Sequence, residues 1–374
     1  MPSSTSSSDP ADIPIFSRIL PETTAWSRIF TATALLAVIA VGLREWSLRE
    51  NGILPSLSTQ APLWAWQRIL VRDAPSDSTV VVGSSRIAWG FDLEEWEKRS
   101  GEPRPYMLAW PAVCPRPQLH DLAKQKEFRG TLLVGVAPSF FFSGPDYTFA
   151  MRIKDFITLS EHWGPADNIE QHLRFLIEPV FAFMSVGEAS PLLLLRERID
   201  LPQRDRQLPP LRNRLFFRTD KHCRGRLIEG IENRPQDIEA FTAILQAIET
   251  QAKLYQSVNV DLILKEVVKD VRKIHDRGGQ VIFIRYPSTG WYREDEQQYQ
   301  PREKYWDRLI EETGCLGIHF EDHPELSGFS PPENSHLTQE DAIRFTEQLH
   351  AVIKKERNTR RLHSPGMKSP RPLE

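Results

Sequence analysis

Cysteine is scarce in this chain. Three cysteines among 374 residues, Cys114, Cys223 and Cys315, make no C-x-x-C metal pattern, and their odd number and wide spacing exclude a disulfide framework. A surplus of one charge is also missing: 47 basic residues face 50 acidic ones, so no global positive field points to nucleic acid as a partner. Long apolar runs are lacking with one exception, which excludes a multi-span membrane protein. Hydrophobic residues still make up 40% of the chain, which excludes wholesale disorder and allows a substantial core. The length suits two or three domains, or one large α/β domain with appendages.

The exceptional run is Ile29 to Leu43, 15 uncharged residues. As a helix it covers about 22 Å of a hydrocarbon layer roughly 30 Å thick. Its flanks lengthen it, because Arg28 and Arg44 can snorkel and Trp26 and Trp46 stand where interfacial anchors belong. We therefore expect one transmembrane helix within residues 25–47, meeting the lipid bilayer through residues 26–46. A buried core helix and a cleaved signal peptide are the alternatives. Arg18 and Arg28 before the span are matched by Arg44 and Arg49 after it, so the positive-inside rule is nearly silent. A short leading tail on a single N-terminal anchor favours an extracytoplasmic bulk, periplasmic or at the cell surface. Residues 1–24, rich in Ser, Thr and Pro, read as a disordered tail, and residues 48–75 as a linker with a short helix near Leu63 to Val71.

From residue 76 the pattern changes. Ser78 to Gly83 (STVVVG) reads as a buried strand, and Asp92 with Glu95 three positions later has the spacing of a capping box. Strand-like starts near residues 80, 106 and 131 recur about every 26 residues, the length of a βα unit. Further strands are expected at 280–286 and 316–320, and helices at 118–128, 263–274, 302–313 and 339–355. Residues 145–255 break the pattern and read as a helical insertion covering one side of the sheet. Within them, 201–226 carries eight Lys or Arg residues and reads as a solvated loop. Residues 356–374 read as a basic, disordered tail. The expected fold, over residues 76–355, is α/β: a flavodoxin-like, three-layer parallel sheet with a helical insertion.

In an open parallel sheet, reactive groups collect at the carboxyl ends of strands. Two such places carry chemistry. Gly83-Ser84-Ser85-Arg86 lets the chain turn tightly and leaves a hydroxyl beside backbone N–H groups. Glu333-Asn334-Ser335-His336 precedes the last helix, and a carboxylate three residues before a histidine can fold back onto one imidazole nitrogen and leave the other for a serine proton. Other candidates read more plainly. His319 and His323 bracket Glu321 and Asp322, but their place at a strand end fits the surface better than a metal site, so no metal is expected. Cys114 reads as a buried thiol. Arg285 reads either as a contact for an anionic or sugar substrate or as a surface or salt-bridged arginine.

The serine turn after the first strand, with the acid-x-x-His motif before the last helix, resembles the SGNH (GDSL-type) hydrolase family over roughly residues 76–355. The resemblance implies Ser85 as nucleophile, His336 as base and Glu333 as its orienting acid. It implies oxyanion donors from the backbone N–H groups of Ser85 and of Ala112, which stands where the family has glycine. Gly135-Val136-Ala137-Pro138 aligns with the family's Gly-x-Asn-Asp block and lacks the asparagine donor. Ser139 or Arg86 is then a candidate replacement and a possible substrate contact; without one the enzyme would be slow or inactive. The anchored form resembles accessory proteins of exopolysaccharide O-acetylation. That implies a serine esterase or O-acyltransferase working on acyl, most plausibly acetyl, esters of a cell-surface or exported polysaccharide beside a multi-span membrane acyltransferase. No cofactor is implied. The competing reading is a catalytically inactive scaffold or binding subunit of such a complex.

Overall fold

Short runs of β-branched and apolar residues build the centre of the molecule. In the computed structural model, which describes residues 25–50, 53–184, 216–254 and 258–363, they form strands β1 (Val80–Val82), β2 (Tyr106–Met107) and β3 (Thr131–Gly135). A hairpin of β4 (Phe217–Thr219) and β5 (Gly225–Leu227) follows, then β6 (Gln280–Arg285) and β7 (Leu316–His319). Five strands make one sheet in the order β2-β1-β3-β6-β7, all parallel. Val80 to Val82 and Leu132 to Val134 are wholly buried, as strands covered on both faces should be.

Helices connect these strands as the periodicity predicts. Asp92 caps the helix Leu93–Ser100 through a 2.8 Å bond from the Glu95 amide. The helix Val260–His275 buries Ile263, Leu264, Val267, Val271 and Ile274, an apolar stripe at helical spacing. The helix Arg302–Thr313 has the expected bounds, and Arg116–Lys124 begins and ends slightly earlier than expected. The final helix, Gln339–His363, runs through 356–363, where composition alone suggested a tail; residues 364–374 lie outside the described residues.

The region 145–255 holds helices Thr148–Met151, Ile153–Glu161, Pro165–Ile177 and Pro235–Leu254 and the β4-β5 hairpin. The hairpin corrects the solvated-loop reading of 216–226. Its cations are not all in water: Arg224 is buried against Asp92, while Phe216, Phe217 and Leu227 enter the core. Residues 201–215 of that expected loop lie outside the described residues. The helix Ala61–Arg72, in the segment read as linker, is packed too, with Trp64 wholly buried and its indole donating to the Leu108 carbonyl at 2.7 Å.

The chain divides into two compact units, residues 1–47 and 48–374. The helix Trp26–Glu50 begins in the first. It is long and apolar enough to cross a membrane, and its side chains, Phe30, Leu36 and Val38 among them, are exposed, which is not the character of a buried core helix.

Candidate functional site

The nucleophile candidate is positioned by glycines. β1 ends at Val82, and Gly83 follows at φ +151°; a Cβ there would lie 2.3 Å from Ile87 Cγ2. Gly135, at the end of β3, is in the same position, since its Cβ would lie 2.4 Å from the same atom. Two bare backbones thus make the space in which Ile87, two residues after Ser85, is sunk. The Gly83 amide donates to Gln118 Oε1 at 3.0 Å, and Gln118 Nε2 donates to the Leu108 carbonyl at 2.8 Å, so one buried amide ties the ends of β1 and β2 together. The helix Ser85–Gly90 then starts with Ser85 at its first position and no side chain capping its first turn.

The acid-base loop is held from the other end. Asn334 has φ +72°, a left-handed conformation that asparagine tolerates. Its carbonyl accepts from the Thr289 amide at 3.1 Å, and its side-chain oxygen accepts from Thr289 Oγ1 at 3.2 Å. This reversal brings Glu333 back onto His336. Glu333 Oε1 is hydrogen-bonded to His336 Nδ1, and His336 Nε2 lies 2.7 Å from Ser85 Oγ. Glu333 and His336 are each 1% exposed and Ser85 is half-buried, so the dry end of the chain lies at the acid and the accessible end at the hydroxyl. The imidazole is walled by aromatic rings: Trp89 at 4.1 Å between centroids and Phe241, stacked at 5.7 Å.

Beside Ser85 lies a recess of about 20 Å³, lined by Ser85, Arg86, Ala112, Ser335, His336 and apolar side chains that include Leu245 and Ile248 of the helix Pro235–Leu254. This is room for about one water molecule. Ala112 has φ +53°, so the residue in the expected glycine position adopts the conformation a glycine would take freely. Around the recess runs a buried polar network. Arg86 Nε donates to Ser335 Oγ at 3.1 Å, and Arg86 Nη1 lies 2.7 Å from Glu296 Oε1. Glu296 Oε2 takes the Arg285 guanidinium and the Ser288 hydroxyl. Although burial opposes its charge, Arg285 and Arg86 hold the Glu296 carboxyl below its ordinary range. Glu249 goes the other way: burial, with Glu296 nearby, pushes it up to about 7, while Tyr292 donates to it at 3.1 Å.

Four of the residues expected from sequence, Ser85, Arg86, Ala112 and His336, line one recess, with Glu333 directly behind. Two do not. Ser139 is buried beside Glu249 and Tyr292, and Arg285 is 2% exposed in its pair with Glu296 rather than at a substrate surface. His319 also departs from its expected surface position. It is 1% exposed, on the inward side of β7 between Trp306 and Phe320, and burial among several arginines pushes it down to about 2. Among the described residues, no group of three or more His, Cys, Asp or Glu is placed to hold a metal ion. Cys114 is buried, its thiol 3.8 Å from the Phe141 carbonyl. Reading the sequence missed Trp89, Phe241, Gln118 and Glu296. Only Trp89 had a signal, since four residues after Ser85 on one helix means the same face.

Fold and geometry together define an α/β protein with a parallel five-stranded sheet and a Ser-His-Glu hydrogen-bonded chain at the carboxyl edge of its strands. Comparison with models of known protein families and with curated proteins returns no match.

Proposed function

We propose that this protein is a serine esterase or O-acyltransferase of the SGNH type, anchored in a membrane by the helix Trp26–Glu50 with its larger unit outside the cytoplasm. Acyl esters, acetyl first among them, of a cell-surface or exported polysaccharide are its proposed substrates, and a multi-span acyltransferase its proposed neighbour. The observation that carries the reading is the bonded order Ser85–His336–Glu333, in which each group has the partner its role requires. The strand order β2-β1-β3-β6-β7 supports a flavodoxin-like doubly wound reading, in which the reactive crevice lies at the carboxyl ends of the strands. The polysaccharide and the neighbour rest on the family resemblance alone.

Chemically, Ser85 Oγ attacks the acyl carbonyl carbon as its proton moves to His336 Nε2, and the carbonyl electron pair moves onto oxygen. Glu333 stabilises the imidazolium and keeps Nδ1 protonated throughout. Backbone N–H groups of Ser85 and Ala112 face the developing oxyanion. Collapse expels the alcohol, which takes its proton from His336. Water or a second sugar hydroxyl then resolves the acyl-serine by the reverse sequence. The small recess favours a short acyl chain, because anything longer displaces Leu245 or Ile248.

The second reading, an inactive scaffold, is favoured by one observation: Ala137 lines the recess near the place of the family's absent asparagine. A fluorophosphonate probe separates the two. Labelling of the parent that disappears in Ser85→Ala is the expected result. A folded parent that takes no label would favour the scaffold.

A further inference from the structure

The recess beside Ser85 is bordered by a buried cation that keeps a donor in reserve. Arg86 is 4% exposed. Its Nε is used by Ser335 and its Nη1 sits at ion-pair distance from Glu296, with the guanidinium 4.3 Å over the Tyr292 ring. Its Nη2 is buried and has no hydrogen-bond partner among the described residues. Nor is Glu296 its own, because that single carboxylate also serves the buried Arg285. The other acid of the network, Glu249, is held towards its neutral form. Two buried guanidiniums therefore share one firmly ionised carboxylate. Although burial opposes its charge, Glu296, with Tyr292 and Glu249, still holds the Arg86 cation above its ordinary range. What the site leaves open is the Nη2 donor, and a buried N–H without an acceptor is costly unless one joins it.

The direction of that free donor matters. In the planar guanidinium fork, Nε–H and the neighbouring N–H of Nη2 point off the same edge. Nε is bonded to Ser335, so Nη2 shares the edge of the guanidinium turned to that hydroxyl, and Arg86 and Ser335 line the same recess as Ser85 and His336. Ser139 is a poorer donor because its hydroxyl stands beside Glu249 and Tyr292 and does not line the recess.

We propose that Arg86 is a catalytic residue: its Nη2 donates to the oxyanion of the tetrahedral intermediate, supplying the third donor that the missing asparagine would have given. The inference rests on the assignment of Ser85 as nucleophile. As the Oγ–C bond forms, the carbonyl electron pair becomes an oxyanion between Nη2 and the backbone N–H groups of Ser85 and Ala112. Arg86 gives up no proton; the proton in motion is that of Ser85, which goes to His336 and then to the leaving alcohol. The acceptor that Nη2 lacks in the resting site is thus strongest at the top of the barrier, which is where an interaction raises kcat.

The test is the structure of the full-length protein in detergent after reaction with a fluorophosphonate, whose phosphoryl oxygen mimics the oxyanion. A phosphoryl oxygen about 2.7 to 3.1 Å from an Arg86 nitrogen is expected. An adduct whose oxygens all lie beyond ~4 Å from Arg86 overturns the proposal while leaving Ser85 as nucleophile. Failure of the folded parent to form any adduct overturns the nucleophile assignment and this inference with it. Kinetics on p-nitrophenyl acetate give an independent reading. Arg86→Met should lower kcat about 10² to 10³-fold with KM changed by less than about threefold, and Arg86→Lys should recover part of the loss. A folded Arg86→Met protein with kcat within about threefold of the parent, or with its loss confined to KM, overturns the proposal.

Discussion

Glu333 acts through geometry that a single atom controls. Its Oε1 engages His336 Nδ1, and its buried Oε2 has no hydrogen-bond partner among the described residues, so nothing else competes for the acid. Replacing it by glutamine keeps the volume but lets an amide N–H face the ring, favouring the tautomer with its proton on the wrong nitrogen. Glu333→Gln should therefore lower turnover of an acyl ester by about 10³ to 10⁴-fold in a protein that still folds, measured beside its circular dichroism. Glu249 makes a different prediction, one of stability against pH. Burial raises its folded value to about 7, above that of the unfolded chain, so between about pH 4 and pH 7 the folded state binds more protons and stability falls as pH rises. Glu249→Gln imitates the neutral acid and keeps an acceptor for Tyr292. Urea denaturation should find the variant favoured by about 3 kcal/mol above pH 7, with the advantage gone near pH 4. An equal advantage at both ends would contradict the assigned cause.

The β4-β5 hairpin is the element that most changes the picture the sequence offers. Gly225 lies against Trp89 so closely that a Cβ would fall 2.0 Å from the indole, and Trp89 in turn lies against His336. Gly225→Val should push the indole towards the imidazole. We expect a lower melting temperature and at least tenfold slower labelling of Ser85, although residue 225 touches neither reacting group. Unchanged labelling would mean that Trp89 and His336 move independently. None of this was legible in the chain, and the reason is physical. Strands such as Val80–Val82 and Gln280–Arg285 announce themselves because burial on both faces demands unbroken apolar runs. The hairpin alternates buried and exposed residues over three-residue strands, and its buried Arg224 is neutralised by Asp92, 132 residues away, so composition reads it as a wet loop. The helix Gly290–Tyr299 was equally silent, because it buries only Tyr292 and Glu296, one of them charged. Ser85, Glu333 and His336 were legible because local spacing fixes the acid to the histidine and the turn to the serine. The Phe241 wall and the Arg86–Glu296 pair arise only from contacts distant in sequence.

At the scale of the molecule, the exposed helix Trp26–Glu50 is long and apolar enough to cross a membrane. If it is an anchor, the full chain should sediment with membranes and resist carbonate extraction, whereas a chain starting at Ile53 should stay in the aqueous phase and still label at Ser85. A full chain that remains in the aqueous phase would remove the anchor from the proposal. The large unit has a further property, which concerns time. Ser85 and His336 are 251 residues apart, and the hydroxyl of one meets the imidazole of the other directly. A ribosome adding about 5 to 20 residues per second needs roughly 13 to 50 s to travel between them. Throughout that interval the serine exists without its base. On the proposed reading the emerging polypeptide stays inert towards acyl esters until residue 336 has been made, so a product truncated before that residue should take no fluorophosphonate label at Ser85.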